Sequence, residues 1–412
     1  MLTDTVTHFY KILLRLCRKH CTWNILGFFS PLTDESFFRS FLLITFVALF
    51  FSRCKVPYAP PLQNSAARYL VVEGYINGDG VTTIKLSRTR NITWGDTAAY
   101  INESNANVQV QDNQNNIYPL NNSNNGFYTG NYILSASNLY RLHITTPDNK
   151  EYVSDFVPFK TAPPIDSLNW KLVNNGVQVF VDTHDQQNKT RYYRWTYNET
   201  WEFHSAYNSI IKYDANNKKV VNRTEQVFQC WRTDSSTNIL VGSSAKLQSD
   251  IIHNQPITYL PDHDRKISVL YSVLVKQYAL DSAAYNYWQA IKGNTENVGS
   301  IFDPQPNQTK GNVHCVGDTS ETVIGYVGAG TTTEQRLFIS NSAMPAGWNL
   351  SLNCDEIEVT PDSIEIYFGM RGYFPIIKDS TPTGAVKGYF SSFGTCVECT
   401  LVGTNKKPVF CP

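Results

Sequence analysis

Beyond residue 68 the chain alternates apolar and polar residues with period two, and this pattern predicts strands rather than helices. Residues 69–76 and 81–87 flank the turn Asn77-Gly-Asp-Gly80 and read as a hairpin. Residues 107–112 alternate strictly, with Val108 and Val110 on one face. Asn-rich turns at 113–116 and 121–126 set off short strands at 117–118 and 126–130, and 140–145 alternates again before a strand at 151–154. Short strands at this spacing, with no helical period between them, predict a β-sandwich of roughly 100 residues.

Residues 161–165, with Pro163 and Pro164, mark the expected boundary, and a second strand series follows. It comprises 167–172, the turn Asn174-Asn-Gly176, 177–181, the aromatic strand 191–197, and the β-branched run 267–278. One helix is expected at 281–292. Asp281 or Ser282 caps it, Ala284, Tyr287, Trp288 and Ile291 form its apolar face, and Gly293 ends it. Strands resume at 321–327, 337–339 and 363–368. The predicted fold class is mainly β: tandem β-sandwich units, immunoglobulin-like or prealbumin-like, at 69–162 and 163–412, with one short helix inserted in the second.

The N-terminal pattern differs. Arg39 precedes the uncharged run 41–52, and Cys54 follows it, ahead of a segment broken by Pro57, Pro60 and Pro61. Twelve apolar residues rise only ~18 Å as a helix, short of a bilayer core of about 30 Å. The run therefore reads as a secretory signal over 1–53, with 1–35 taken as a mis-assigned start. A cysteine closing such a run is expected to be the lipidated residue of a bacterial lipoprotein, although Ser52-Arg53 is an unusual lead-in. Residues 54–68 are then a lipid-anchored tether.

The composition holds 35 basic and 35 acidic residues, so no net field favours nucleic acid or an acidic partner. Six cysteines follow Cys54: Cys230, Cys315, Cys354, Cys396, Cys399 and Cys411. In an exported chain they are candidates for up to three disulfides. Cys396-Val-Glu-Cys399 could also serve redox or zinc chemistry. Its flanks lack the βαβ context of the former, and only Cys411 lies nearby as a further ligand for the latter. A structural disulfide is the preferred reading, with one of the pair bonded outside the motif and Cys411 as the nearest partner.

No catalytic motif stands out, and neither metal nor cofactor is expected. Pro261-Asp-His-Asp264 reads as a polar turn rather than a ligand set, and His184-Asp185 reads as a strand end. The glycines of 325–330 precede no helix, which argues against a phosphate cradle. Tyr192, Tyr193, Trp195, Tyr197, Trp201 and Phe203 could stack on sugars, but a strand this aromatic reads first as core.

Several segments together carry a family resemblance. CKVPYAPPL and YLVVEGYING, then YYRWTYNETWEF, QCWRTDSSTNILVGSSAKL, SVLYSVLVKQYALDSAAYNYWQAI, GNVHCVGDTSETVIGYVGAG and CVECTLVGTNKKPVF resemble a Bacteroidota lipoprotein family known as domain of unknown function 4249, in its order and over residues 54–412. The resemblance implies an outer-membrane lipoprotein, lipid-anchored on the surface or periplasmic face. It also implies a non-enzymatic role as an accessory to a TonB-dependent receptor in uptake. The alternative is a freestanding surface carbohydrate-binding or adhesive module. A third and weaker reading is an exported hydrolase.

Overall fold

The computed structural model describes residues 68–90, 101–296, 309–348, 350 and 352–412. The signal region, Cys54 and nearly all of the tether lie outside the described residues. Residues 66–412 form one compact unit, and it is mainly β.

The expected hairpin forms between Leu70–Asn77 and Val81–Arg88, with Val72 opposite Leu86. From it a meander runs through Phe127–Asn131, Ile117–Asn122, Asn107–Asp112 and Leu139–Thr145, each antiparallel to its neighbour. Val157–Lys160 pairs with Leu139–Thr145 on one side and, in parallel, with Gly328–Gly330 on the other. Gly328–Gly330 in turn lies parallel to Leu70–Asn77. These pairings join eight strands into a closed ring. The first unit is therefore a barrel, which corrects the expected sandwich, and closure removes the exposed edges that an open sheet would keep. Alternating residues fill it, among them Val72, Ile84, Leu86, Val108, Val110, Tyr140, Leu142 and Ile144. Val313, Cys315, Val323, Val327 and Ala329 belong to the same core, so 313–330 joins the first unit although it follows the second in sequence.

Glycine makes that closure possible. A Cβ on Gly330 would lie 1.9 Å from the Lys160 carbonyl oxygen. Gly325 and Gly330 thus serve close backbone approach, whereas a Cβ on Gly328 would meet only the Tyr75 ring, at 3.1 Å.

Beyond residue 164, Ile165–Val173, Gly176–His184 and Ile251–Pro261 form a three-stranded sheet. Asn174 and Asn175 both take positive φ in the hairpin turn, as the sequence leads one to expect. A five-stranded sheet is built on Tyr192–His204, with Gln229–Ser235, Leu240–Ser243, Leu270–Leu280 and Thr332–Ser340. The two sheets share one core, in which Val177, Val179 and Val181 meet Tyr193, Trp195, Phe203 and Val275. At its centre the Trp195 indole N–H donates to Gln277 Oε1 at 2.8 Å. The Gln277 amide nitrogen donates to Thr183 Oγ1 and to the Pro163 carbonyl. This buried side chain has its polar groups satisfied and ties the sheets together.

A C-terminal sheet joins Ile357–Val359, Val386–Phe393 and Tyr373–Ser380. The strand expected at 363–368 does not form. Pro361 opens a short 3-10 turn that continues as a π-helical turn over Glu365–Met370, with Phe368 buried. Proline at the first helical position presets φ, and here it overrides a β-branched local pattern.

Two disulfides hold this segment. Cys230 bonds Cys399 across 169 residues, and Cys354 bonds Cys396 across 42. Both cysteines of the C-x-x-C motif therefore bond outside it. Cys411, the expected partner, is a free thiol, and so is the buried Cys315. Among the described residues two bridges form rather than three.

Candidate functional site

The aromatic strand Tyr192–His204 has two different faces. Tyr193, Trp195, Tyr197, Trp201 and Phe203 are buried in the shared core, as period-two geometry demands. Arg194 falls on the opposite face, and the register sets it directly across from Tyr278. The helix Ser282–Glu296 covers that face. Asp281 Oδ1 caps it by accepting from the Ala284 N–H at 2.7 Å. The helix runs past Gly293, whose missing Cβ would face open space, so the expected stop at that residue is not used. Ala284 and Tyr287 are buried, while Trp288 and Ile291 are only partly so.

Between the helix, the barrel hairpin and strand Leu270–Leu280 lies a cavity of about 400 Å³. The Arg194 guanidinium carbon sits 3.7 Å from the Trp288 ring centre and 5.6 Å from that of Tyr278. Tyr287 stands edge-on to Trp288 at 5.4 Å and lies 5.3 Å from Tyr326. Tyr75 from the barrel meets Tyr278 edge-on at 5.0 Å. Gly325 contributes bare backbone at φ +139°, where a Cβ would strike the Val72 carbonyl at 2.1 Å.

The electrostatics of the cavity are asymmetric. Lys276 is paired with Glu334 at 2.8 Å and Glu73 with Lys85 at 3.3 Å. Arg194 has no carboxylate within ion-pair distance among the described residues. Burial pulls its pKa below the ordinary arginine value, partly offset by Tyr278, Tyr287 and Glu73. The group nevertheless stays cationic. Burial likewise pushes the Tyr75, Tyr287 and Tyr326 phenols up, so all three are neutral donors at physiological pH. Two of the hydroxyls are used within the protein, Tyr75 donating to the Ala279 carbonyl and Tyr326 to Asp281 Oδ1.

A larger cavity of about 800 Å³ lies beside Arg88, Glu103, Lys150, Asp148, Asp318 and Glu321. Two of its three cations are paired within the protein, Arg88 with Glu103 at 2.5 Å and Lys150 with Glu321 at 2.7 Å. The third, Arg68, is exposed, and four carboxylates line the same space.

The other sequence candidates have structural roles. Asp264 accepts from the Lys266 N–H and caps a 3-10 turn, and His263 is exposed. His184 Nδ1 sits 2.7 Å from Asp166, whose hydrogen bond raises the imidazole pKa. No group of three or more His, Cys, Asp or Glu side chains is placed to hold a metal among the described residues. No described helix is long and apolar enough to cross a membrane. Sequence reasoning passed over Arg194. Its signal was present, as the cation in the polar parity of an otherwise aromatic strand.

Among solved structures, the chain is similar to one described as a "putative carbohydrate binding protein" from Bacteroides uniformis. They share 11% identity, with 52% of this chain and 90% of that chain covered, at a TM-score of 0.14, too low to carry an argument. No curated protein matches. A family model, described as domain of unknown function (DUF4249), matches residues 55–336. That span takes in the hairpin, the barrel-closing strand, the aromatic strand and the helix over the cavity, and leaves out the disulfide-held C-terminal segment. With more than half its length matched, the chain belongs to the domain of unknown function family DUF4249.

Proposed function

We propose that this chain is a non-enzymatic, exported lipoprotein of Bacteroidota type. It is anchored in the outer membrane through Cys54, binds cargo in the Arg194 cavity, and acts as an accessory to a TonB-dependent receptor. The observation that carries the reading is the cavity itself, where a guanidinium without a carboxylate partner and five phenol or indole rings converge beside one helix. Such a set recognises and holds a ligand. Two disulfides in the C-terminal segment suit an oxidising compartment. The apolar run before Cys54 suits export and acylation.

The test is purification of the tagged full chain from outer membranes in mild detergent, with mass spectrometry of what accompanies it. A TonB-dependent receptor in near-stoichiometric amount is the expected result, together with fatty-acid labelling lost in Cys54→Ala. A chain that purifies without any such receptor contradicts the accessory role. The ring-lined wall of Trp288 and Tyr287 would also suit a sugar face. Glycan binding without a receptor would favour the freestanding carbohydrate-binding module.

A further inference from the structure

Within the Arg194 cavity, charge and shape narrow the ligand further. The lining carries three ionic side chains, Glu73, Arg194 and Lys276, and two of them have opposite charges beside them elsewhere. Arg194 alone faces the space without a carboxylate. Its guanidinium stacks against Trp288, and a stacked guanidinium keeps its N–H donors in its own plane, directed outward from the ring. That edge matches the two oxygens of a carboxylate. Around it, Tyr278, Tyr287 and Tyr326 offer ring faces and edges on which a flat or saccharide ring can lie. The volume of about 400 Å³ falls within the ~300–1,000 Å³ usual for small-molecule sites.

We propose that the Arg194 cavity binds a small acid whose carboxylate is attached to a ring, with the carboxylate on Arg194 and the ring against the Trp288–Tyr287 wall. This rests on the reading of the cavity as a cargo site. Sugar acids and aromatic acids share the required chemistry.

Calorimetric titration of the full chain in mild detergent tests this with D-glucuronate and 4-hydroxybenzoate, each beside its neutral counterpart, D-glucose and 4-hydroxybenzamide. At least one acid should bind tenfold or more tightly than its counterpart, and which acid does so identifies the source. Arg194→Gln should remove that preference. Arg194→Lys keeps the charge, loses the planar fork and should weaken the acid several-fold, which provides a reading should the glutamine variant misfold. Trp288→Leu should weaken acid and neutral probe alike. Equal binding of acid and counterpart, binding of neither acid, or an unchanged preference in a folded Arg194 variant each overturns the proposal. Receptor co-purification is independent of these titrations, so failure here is distinguishable from failure of the accessory role.

Discussion

Removing the Cys230–Cys399 bridge should be the most damaging covalent change in the described unit. Both residues are fully buried, and the bond ties the turn after Val397 to strand Gln229–Ser235. In the chain-entropy picture, a cross-link over 169 residues restricts the unfolded chain by ~5 kcal/mol, and one over 42 residues by ~4 kcal/mol. The shorter loop lies inside the longer one, so the two contributions do not add. Measured losses more often fall at about 2–4 kcal/mol. The double variant Cys230→Ala/Cys399→Ala should therefore lose ~3–5 kcal/mol once the lost sulfur packing is included. With a urea slope near ~3 kcal/mol per M, the midpoint should fall by roughly 1–1.7 M. Equilibrium urea unfolding followed by tryptophan fluorescence reads this directly, with Cys354→Ala/Cys396→Ala expected to shift less. Non-reducing peptide mapping should show the two cross-motif links, with Cys411 alkylated in the native state and Cys315 only after unfolding. A midpoint within about 0.3 M of the parent, or a bond between Cys396 and Cys399, would refute the reasoning.

Two glycines should respond with opposite sign to alanine. Gly330→Ala forces a Cβ onto the Lys160 carbonyl and should destabilise the barrel by at least ~1–3 kcal/mol, whereas Gly293→Ala, open at its Cβ and inside a helix, should stabilise by ~0.5–1 kcal/mol. Thermal melts of both variants check the pair, and a shift of the same sign in each would contradict the structure. Trp288→Ala should cost ~1–2 kcal/mol, below the ~3–5 kcal/mol of a fully buried tryptophan, because the ring is partly exposed and chiefly loses its contacts with Arg194 and Tyr287; urea midpoints decide it. Glu225 is held down to about 2 by the hydrogen bond from Lys212. Its folded-state value is depressed, so its stabilising contribution is present above the ordinary value of 4.5 and is lost as pH falls through about 2. NMR titration of the Glu225 carboxyl should show this midpoint move up toward 4.5 in Lys212→Met, and a wild-type midpoint near 4.5 would contradict the assignment.

Local pattern revealed most of the strands and little of their closure. The 69–87 hairpin, the 107–112 and 140–145 strands and the Asn174-Asn175 turn follow from alternation and turn chemistry, which act between near neighbours. Barrel closure depends on Gly328–Gly330, three residues without large side chains that pair with strands far away in sequence. No periodicity marks such a segment. The 363–368 run looked like a strand because β-branched propensity ignores the helical start that Pro361 sets. Cysteine positions likewise say nothing of pairing, which the folded topology decides when it brings 230 to 399 and 354 to 396. The cavity was half legible. Core aromatics at 193, 195 and 197 imply a polar-parity face at 194, but only the register with Tyr278 and the position of Trp288 turn that face into a site.

The central claim is that the Arg194 cavity holds the cargo. The most direct measurement is a crystal structure of the chain with the tighter-binding acid probe. A carboxylate within hydrogen-bond distance of the Arg194 guanidinium, with its ring against Trp288, is the predicted result. A probe bound elsewhere, or Arg194 paired with Glu73 in a closed cavity, would contradict the account.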